Sequence, residues 1–122
     1  MAYDNDNIFA KILRGEIPSD KVYEDDWAYA FKDISPQAPV HVLVIPKGPY
    51  QNMEAITRDG SDAEIGGFFR AIAKVAELSG VTDGGYRLIA NNGEDGNQEV
   101  PHLHYHLLGG RNMGRMVKRF GI

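Results

Sequence analysis

His102-Leu103-His104-Tyr105-His106-Leu107-Leu108 holds three of the four histidines in this 122-residue chain. Its strict alternation matches the two-residue period of a β-strand, which puts the three imidazoles on one face and Leu103, Tyr105 and Leu107 on the other. A chain with so few histidines that places three on one strand face is read as doing chemistry there. Imidazole is the side chain able to act as nucleophile, base and acid near neutral pH.

Working outward, Tyr86 to Ala90 reads as a neighbouring strand, joined to the histidine strand through the turn-rich loop Asn91 to Gln98. Two strands so connected can lie side by side, with the loop at one end of the sheet beside the imidazole face. Val40 to Ile45 is a β-branched run read as a central strand, stopped by Pro46 and carrying the fourth histidine, His41. Val22-Tyr23-Glu24 and Trp27 to Lys32 form a hairpin around Asp25-Asp26. The two prolines of Asp33-Ile34-Ser35-Pro36-Gln37-Ala38-Pro39 make a rigid, irregular connection.

The clearest helix runs from Asp62 to Ser79. Ser61 and Glu64 make a capping box, and Ile65, Phe68, Phe69, Ile72, Val75 and Ala76 follow the helical period as a stripe for core and subunit interface. A short helix follows the cap Asn7, with Ile8, Phe9, Ile12 and Leu13 on one face, and ends at Gly15 before Pro18. Strands and helices are segregated, so the fold class is α+β with a mainly antiparallel sheet. One domain is expected over 1–122, with a basic tail from about 110 to 122 that carries Arg111, Arg115, Lys118 and Arg119.

The net charge of −4 argues against bulk attraction to nucleic acid or an anionic membrane, while leaving room for a small anionic ligand held by local donors. The absence of cysteine removes disulfides, thiolate metal sites and a cysteine nucleophile. No apolar run approaches the ~20 residues of a membrane span, and Met1-Ala2-Tyr3-Asp4 does not open a basic-then-apolar leader. A cytoplasmic protein without membrane or nucleic-acid partners is expected.

Three readings of the histidine strand compete. A half-buried structural strand would leave three adjacent imidazoles each in need of a hydrogen-bond partner. A zinc site meets a geometric obstacle: His102 and His106 would lie about 13 Å apart on a regular strand, whereas donors to one zinc lie within ~4 Å of each other. A two-histidine metal site completed by His41 stays open. In the third reading an imidazole attacks an electrophilic phosphorus, giving a phospho-histidine intermediate. The two glycines and the amide side chains of Asn91 to Gln98 then offer a cradle for phosphate.

His-x-His-x-His followed by two apolar residues resembles the signature of the histidine triad (HIT) superfamily of nucleotide hydrolases and transferases. The likeness extends through Ile8-Phe9-Ala10-Lys11-Ile12, Glu16-Ile17-Pro18, Phe31 to Pro39, His41, Ile45-Pro46, Gly85-Tyr86-Arg87-Leu88 and Gly109-Gly110-Arg111. These stretches look like the Hint branch, and Gln98-Glu99-Val100 with the basic tail is most similar to its bacterial members. The resemblance implies a five-stranded antiparallel sheet with a long helix and a short N-terminal helix, continued across a homodimer. It implies a purine nucleoside phosphoramidase acting on AMP–amine or GMP–amine conjugates without a required cofactor or metal. His104 would be the nucleophile, His106 would contact phosphate and leaving group, and His102 and His41 would support them. Asn91, Asn97, Glu99 and Val100 would bind the α-phosphate and Asp33 the ribose hydroxyls. Ile8, Phe9, Ile12, Ile17 and Ile34 would wall the purine slot. Glu99 stands where animal relatives carry a hydroxyl, so only its backbone is taken as a phosphate contact. The same resemblance leaves room for dinucleoside polyphosphate hydrolysis of the Fhit type, or for a nucleotide-binding scaffold dimer with incidental catalysis.

Overall fold

The computed structural model describes residues 2–116, so Lys118 and Arg119 of the basic tail lie outside the described residues. Among these, the elements run α1 (Ile8–Leu13), β1 (Lys21–Glu24), β2 (Ala28–Lys32), β3 (Val40–Pro46), α2 (Met53–Asp59), α3 (Asp62–Leu78), β4 (Tyr86–Ile89) and β5 (Tyr105–Gly109). The five strands form one sheet in the order β1-β2-β3-β5-β4, and every neighbouring pair is antiparallel. The long β4–β5 connection carries β5 into the interior of the sheet, between β3 and the edge strand β4. β5, with His106 in it, is therefore held from both sides.

Side-chain alternation divides the sheet into two faces. Ala28, Ala30, Val42, Val44 and Leu107 meet Phe68, Ile72, Val75 and Ala76 of α3 in the larger core. On the opposite face Phe31, Leu43 and Ile45 pack with Phe9 and Ile12 of α1. β3 is covered on both faces, which is why it reads as a continuous apolar run with a buried histidine inside it.

Local signals in the chain account for the helices. Asn7 accepts from the Ala10 N–H and starts α1. The Ser61–Glu64 capping box forms in both directions and starts α3. Asn52, accepting from Ala55 N, starts the seven-residue α2, a helix that the periodicity of so short a segment does not announce.

The histidine segment departs from the regular strand expected of it. β5 begins only at Tyr105, so of the three histidines only His106 lies in the strand. Pro101 lacks an N–H, the His102 N–H bends back to the Val100 carbonyl, and the Leu103 N–H goes to Tyr50 rather than to a strand neighbour. Extending the β3–β5 register would set Leu103 opposite Pro46, which has no N–H to offer. The alternation of sides nevertheless persists upstream of the strand: Leu103 and Leu107 are buried in the α3 core, with Tyr105 packed against it.

Gly67 sits where α3 meets Trp27; a Cβ there would fall 2.3 Å from Trp27 Cγ. Overpacking of this kind costs about 1–3 kcal/mol, against a helix-propensity gain of up to ~1 kcal/mol for replacing glycine by alanine. Gly67→Ala is thus expected to lower stability by about 1 kcal/mol in urea titrations and to red-shift Trp27 emission as the indole is pushed outward.

Candidate active site

His102 is fully buried, His41 and His104 are each 5% exposed and His106 is half-buried. Their protonation states follow from the polarity of the groups that face them. A backbone carbonyl only accepts and a backbone N–H only donates, so each fixes which ring nitrogen carries the proton.

His102 Nε2 lies 2.8 Å from the Pro46 carbonyl and must donate to it. Its Nδ1 is then a bare lone pair, which accepts from the Tyr3 hydroxyl at 2.5 Å. His104 Nδ1 donates to the His102 carbonyl at 2.7 Å, which leaves the lone pair of neutral His104 on Nε2. His41 Nδ1 accepts from the Gln37 N–H at 3.1 Å, so its proton sits on Nε2. That proton is donated to His106 Nδ1 at 3.0 Å, and neutral His106 accordingly keeps its own proton on Nε2. The constellation thus presents one bare nitrogen, His104 Nε2, beside one N–H donor, His106 Nε2. The two rings stand edge to face with centroids 5.2 Å apart, and Phe9 sets its edge against His104 at 5.0 Å.

The same burial favours the neutral forms of His102, His104 and His106. Desolvation pushes the His102 pKa down to about 4. His106 is also pushed down to about 4, by burial first and then by its neighbours His104 and His41. Burial lowers His104 as well, opposed by its bond to the His102 carbonyl and by the charges of Glu99 and Asp33.

Asp33, His41 and His106 each offer a ligand atom within 4.8 Å of the others, the strongest cation candidate among the described residues. Its donors are already committed. His41 Nε2 carries a proton because Nδ1 accepts from Gln37, so a cation bound there would require an imidazolate. The set as folded commits these donors to hydrogen bonds rather than to a cation. It also replaces the three-histidine geometry considered from the sequence.

The loop from Asn91 to Gln98 is knitted by its own amides. Asn91 Nδ2 donates to the Gly96 carbonyl at 2.6 Å. Asn92 accepts from Met53 N and donates to Glu54, clamping the loop to the start of α2. Gln98 accepts from Gly93 N and donates to the Gln51 and Val100 carbonyls. Asn97 holds a left-handed backbone, φ +59°, at the loop's last turn. Among the described residues the N–H groups of Glu99 and Val100 meet no acceptor, and they lie just ahead of the histidines. Among the described residues these two backbone donors and the Asn97 side chain are without a hydrogen-bond partner, whereas the amides of Asn91, Asn92 and Gln98 are committed within the fold.

The residues expected to wall a purine are divided. Phe9 and Ile12 are core, Ile17 is half-buried against them, and Ile8 and Ile34 are exposed, Ile34 almost completely. Asp33 accepts from Ser35 N at 2.7 Å, and its other oxygen lies 3.5 Å from His41 Nε2. Sequence reasoning missed the groups that set the tautomers: the Gln37 N–H, the Pro46 carbonyl and the Tyr3 hydroxyl. Two are backbone atoms that no residue type reveals, and Tyr3 lies 99 positions from its partner.

Comparison with known proteins places these features in context. A family model for the HIT domain matches residues 14–113. The chain is 54% identical over 117 residues to an uncharacterised 13.2 kDa HIT-like protein of Azospirillum brasilense, covering 96% of each. It is 47% identical over 117 residues to the purine nucleoside phosphoramidase of Escherichia coli K12, covering 96% of this chain and 98% of that one. A solved histidine triad protein from Clostridium difficile superposes with a TM-score of 0.85 at 44% identity, covering 95% of this chain and all of the other.

In the unfolded chain imidazoles protonate near pH 6.5, whereas His102 and His106 in the fold do so only near 4. Between those values the unfolded state binds more protons, so stability is fully present above pH 6.5 and is lost as pH falls toward 4. Urea midpoints measured from pH 7 to pH 5 are expected to decline steadily; a flat profile over that range would contradict neutral, buried imidazoles.

Proposed function

The chain belongs to the HIT domain family, and on that premise we propose that it is a purine nucleoside phosphoramidase that breaks the P–N bond of AMP–amine or GMP–amine conjugates. The observation that carries the reading is the pairing of a bare His104 Nε2 with a protonated His106 Nε2, each fixed by backbone polarity. Near-full-length identity to a purine nucleoside phosphoramidase supports the choice of substrate class.

In the first step His104 Nε2 attacks the α-phosphorus, the P–Nε2 bond forms and the P–N bond breaks. The nitrogen takes one proton from solvent before departure and leaves as a neutral amine, and the proton released in the second step balances it. The resulting imidazolium is stabilised at Nδ1–H by the His102 carbonyl, which already holds that proton. The His106 Nε2–H and the N–H groups of Glu99 and Val100 meet the phosphoryl oxygens, fixed donors where charge is concentrated. In the second step water attacks the same phosphorus, the P–Nε2 bond breaks, and the nucleoside monophosphate and one proton are released. The reaction draws on no metal and no cofactor. Ile8 and Ile34 offer exposed apolar surface to the purine and Asp33 an acceptor to the ribose.

The protein works as a homodimer in this reading. Among the described residues β4 is an edge strand with one side unpaired, and its Tyr86 and Leu88 are exposed. A second copy adding its own β4 would continue the sheet and cover them. A reducing cytoplasm suits a chain without cysteine.

His104→Ala is expected to reduce turnover of a fluorogenic AMP–amine by about four orders of magnitude or more while leaving the circular dichroism spectrum intact. Quenching the wild-type reaction early should trap AMP on His104, seen by mass spectrometry of the peptide. Faster turnover of diadenosine triphosphate than of the AMP–amine would redirect the assignment to polyphosphate hydrolysis.

A further inference from the structure

Tyr3 and Asn7 lie ahead of the span that the family model matches, residues 14–113, yet Tyr3 reaches the histidine segment and Asn7 reaches Tyr3. The Tyr3 hydroxyl stands 2.5 Å from His102 Nδ1, and Asn7 Nδ2 donates to that hydroxyl at 2.9 Å. The chemistry of the partners fixes the direction of the chain. An amide N–H can only donate, so Asn7 occupies a lone pair of the phenol oxygen and leaves its single proton for His102. His102 Nδ1 is available to accept it because Nε2–H is committed to the Pro46 carbonyl. Hydrogen bonds therefore run from Asn7 to Tyr3 to His102 to Pro46 without ambiguity. Burial raises the Tyr3 pKa above that of a free phenol, so the donor keeps its proton.

We propose that Tyr3 is a positioning residue for the nucleophile. Its hydroxyl holds the fully buried His102 ring in the Nε2–H state, and the fixed His102 peptide in turn holds His104 through the carbonyl that accepts from Nδ1. Without the hydroxyl, His102 Nδ1 would be a buried acceptor with no donor. Its two remedies are to move the proton to Nδ1 and abandon Pro46, or to rotate the ring. Either one shifts the peptide on which the His104 tautomer depends. A buried acceptor left unmatched destabilises the arrangement that leaves it so.

The device is separable from the fold. Tyr3→Phe keeps the aromatic ring, which as tyrosine stands edge to face with His102 at 5.6 Å between centroids and 70° between planes. Asn7 retains the Asp4 carbonyl for its amide and the Ala10 N–H for its cap.

The test reads the imidazole nitrogens directly, and so does not depend on the phosphoramidase reading that frames the proposal. In wild type, ¹⁵N NMR of selectively labelled histidine should show His102 protonated at Nε2 with a hydrogen-bonded Nδ1. In Tyr3→Phe, the Nδ1 resonance should move downfield toward a free lone pair, or the tautomer should switch, and the His104 resonances should move with it. Replacing Tyr3 with a more acidic fluorotyrosine should shift His102 Nδ1 the opposite way. On the AMP–amine, kcat of Tyr3→Phe should fall about tenfold with KM unchanged, the pattern of a lost transition-state alignment. Imidazole resonances of His102 and His104 that stay unmoved in both Tyr3 variants would overturn the proposal. If wild type fails to turn over AMP–amines, the functional reading falls while the nitrogen shifts still decide the role of Tyr3.

Discussion

The hydrogen bond from His102 Nε2 to the carbonyl of Pro46 joins the histidine segment to the end of β3 at 2.8 Å. Much of the site hangs from it. It occupies the carbonyl at the point where the β3–β5 ladder stops, so the chain before Tyr105 is held by a side chain where a strand would have used its backbone. It protonates His102 at Nε2, which frees Nδ1 for Tyr3 and seats the His102 carbonyl against His104 Nδ1. A second backbone group, the Gln37 N–H, does the equivalent for His41 and, through it, for His106. Four imidazoles that could each adopt two neutral forms are reduced to one arrangement by three backbone groups of fixed polarity, the Pro46 and His102 carbonyls and the Gln37 N–H.

Packing gives those bonds their force. The α3 core holds Leu103 and Leu107 on one side, while α1 brings Phe9 against His104 on the other. Excluding water from the rings lowers their pKa values and strengthens each hydrogen bond among them. In the proposed reaction such an arrangement supplies a nucleophile that needs no deprotonation and donors that need no reorientation when negative charge arrives. The N–H groups of Glu99 and Val100, which meet no acceptor among the described residues, come just before this arrangement in the chain.

Much of the architecture was legible in the chain because its signals are local. The capping box at Ser61 and Glu64, the cap at Asn7 and the β-branched run from Val40 each name an element by themselves. The alternation of His102 to His106 correctly put Leu103, Tyr105 and Leu107 on the side of the α3 core, yet the regular strand it implied begins three residues later than His102. A proline without an N–H at either end of the would-be pairing, Pro101 and Pro46, accounts for that difference. The four histidines could be gathered into one site from motif and resemblance together. Their tautomers could not, since the groups that decide them are a carbonyl, an amide N–H and a tyrosine distant in sequence. The amides of Asn91, Asn92 and Gln98 show the converse: residue types suited to phosphate are spent here on holding a loop in shape.

The most direct test of the account is the protonation map of His104 and His106 in the free protein at pH 7, read by long-range ¹H–¹⁵N correlation. The structure requires His104 protonated at Nδ1 and bare at Nε2, with His106 the reverse, bare at Nδ1 and protonated at Nε2. A His104 carrying its proton on Nε2, or either ring observed as imidazolium at that pH, would contradict it.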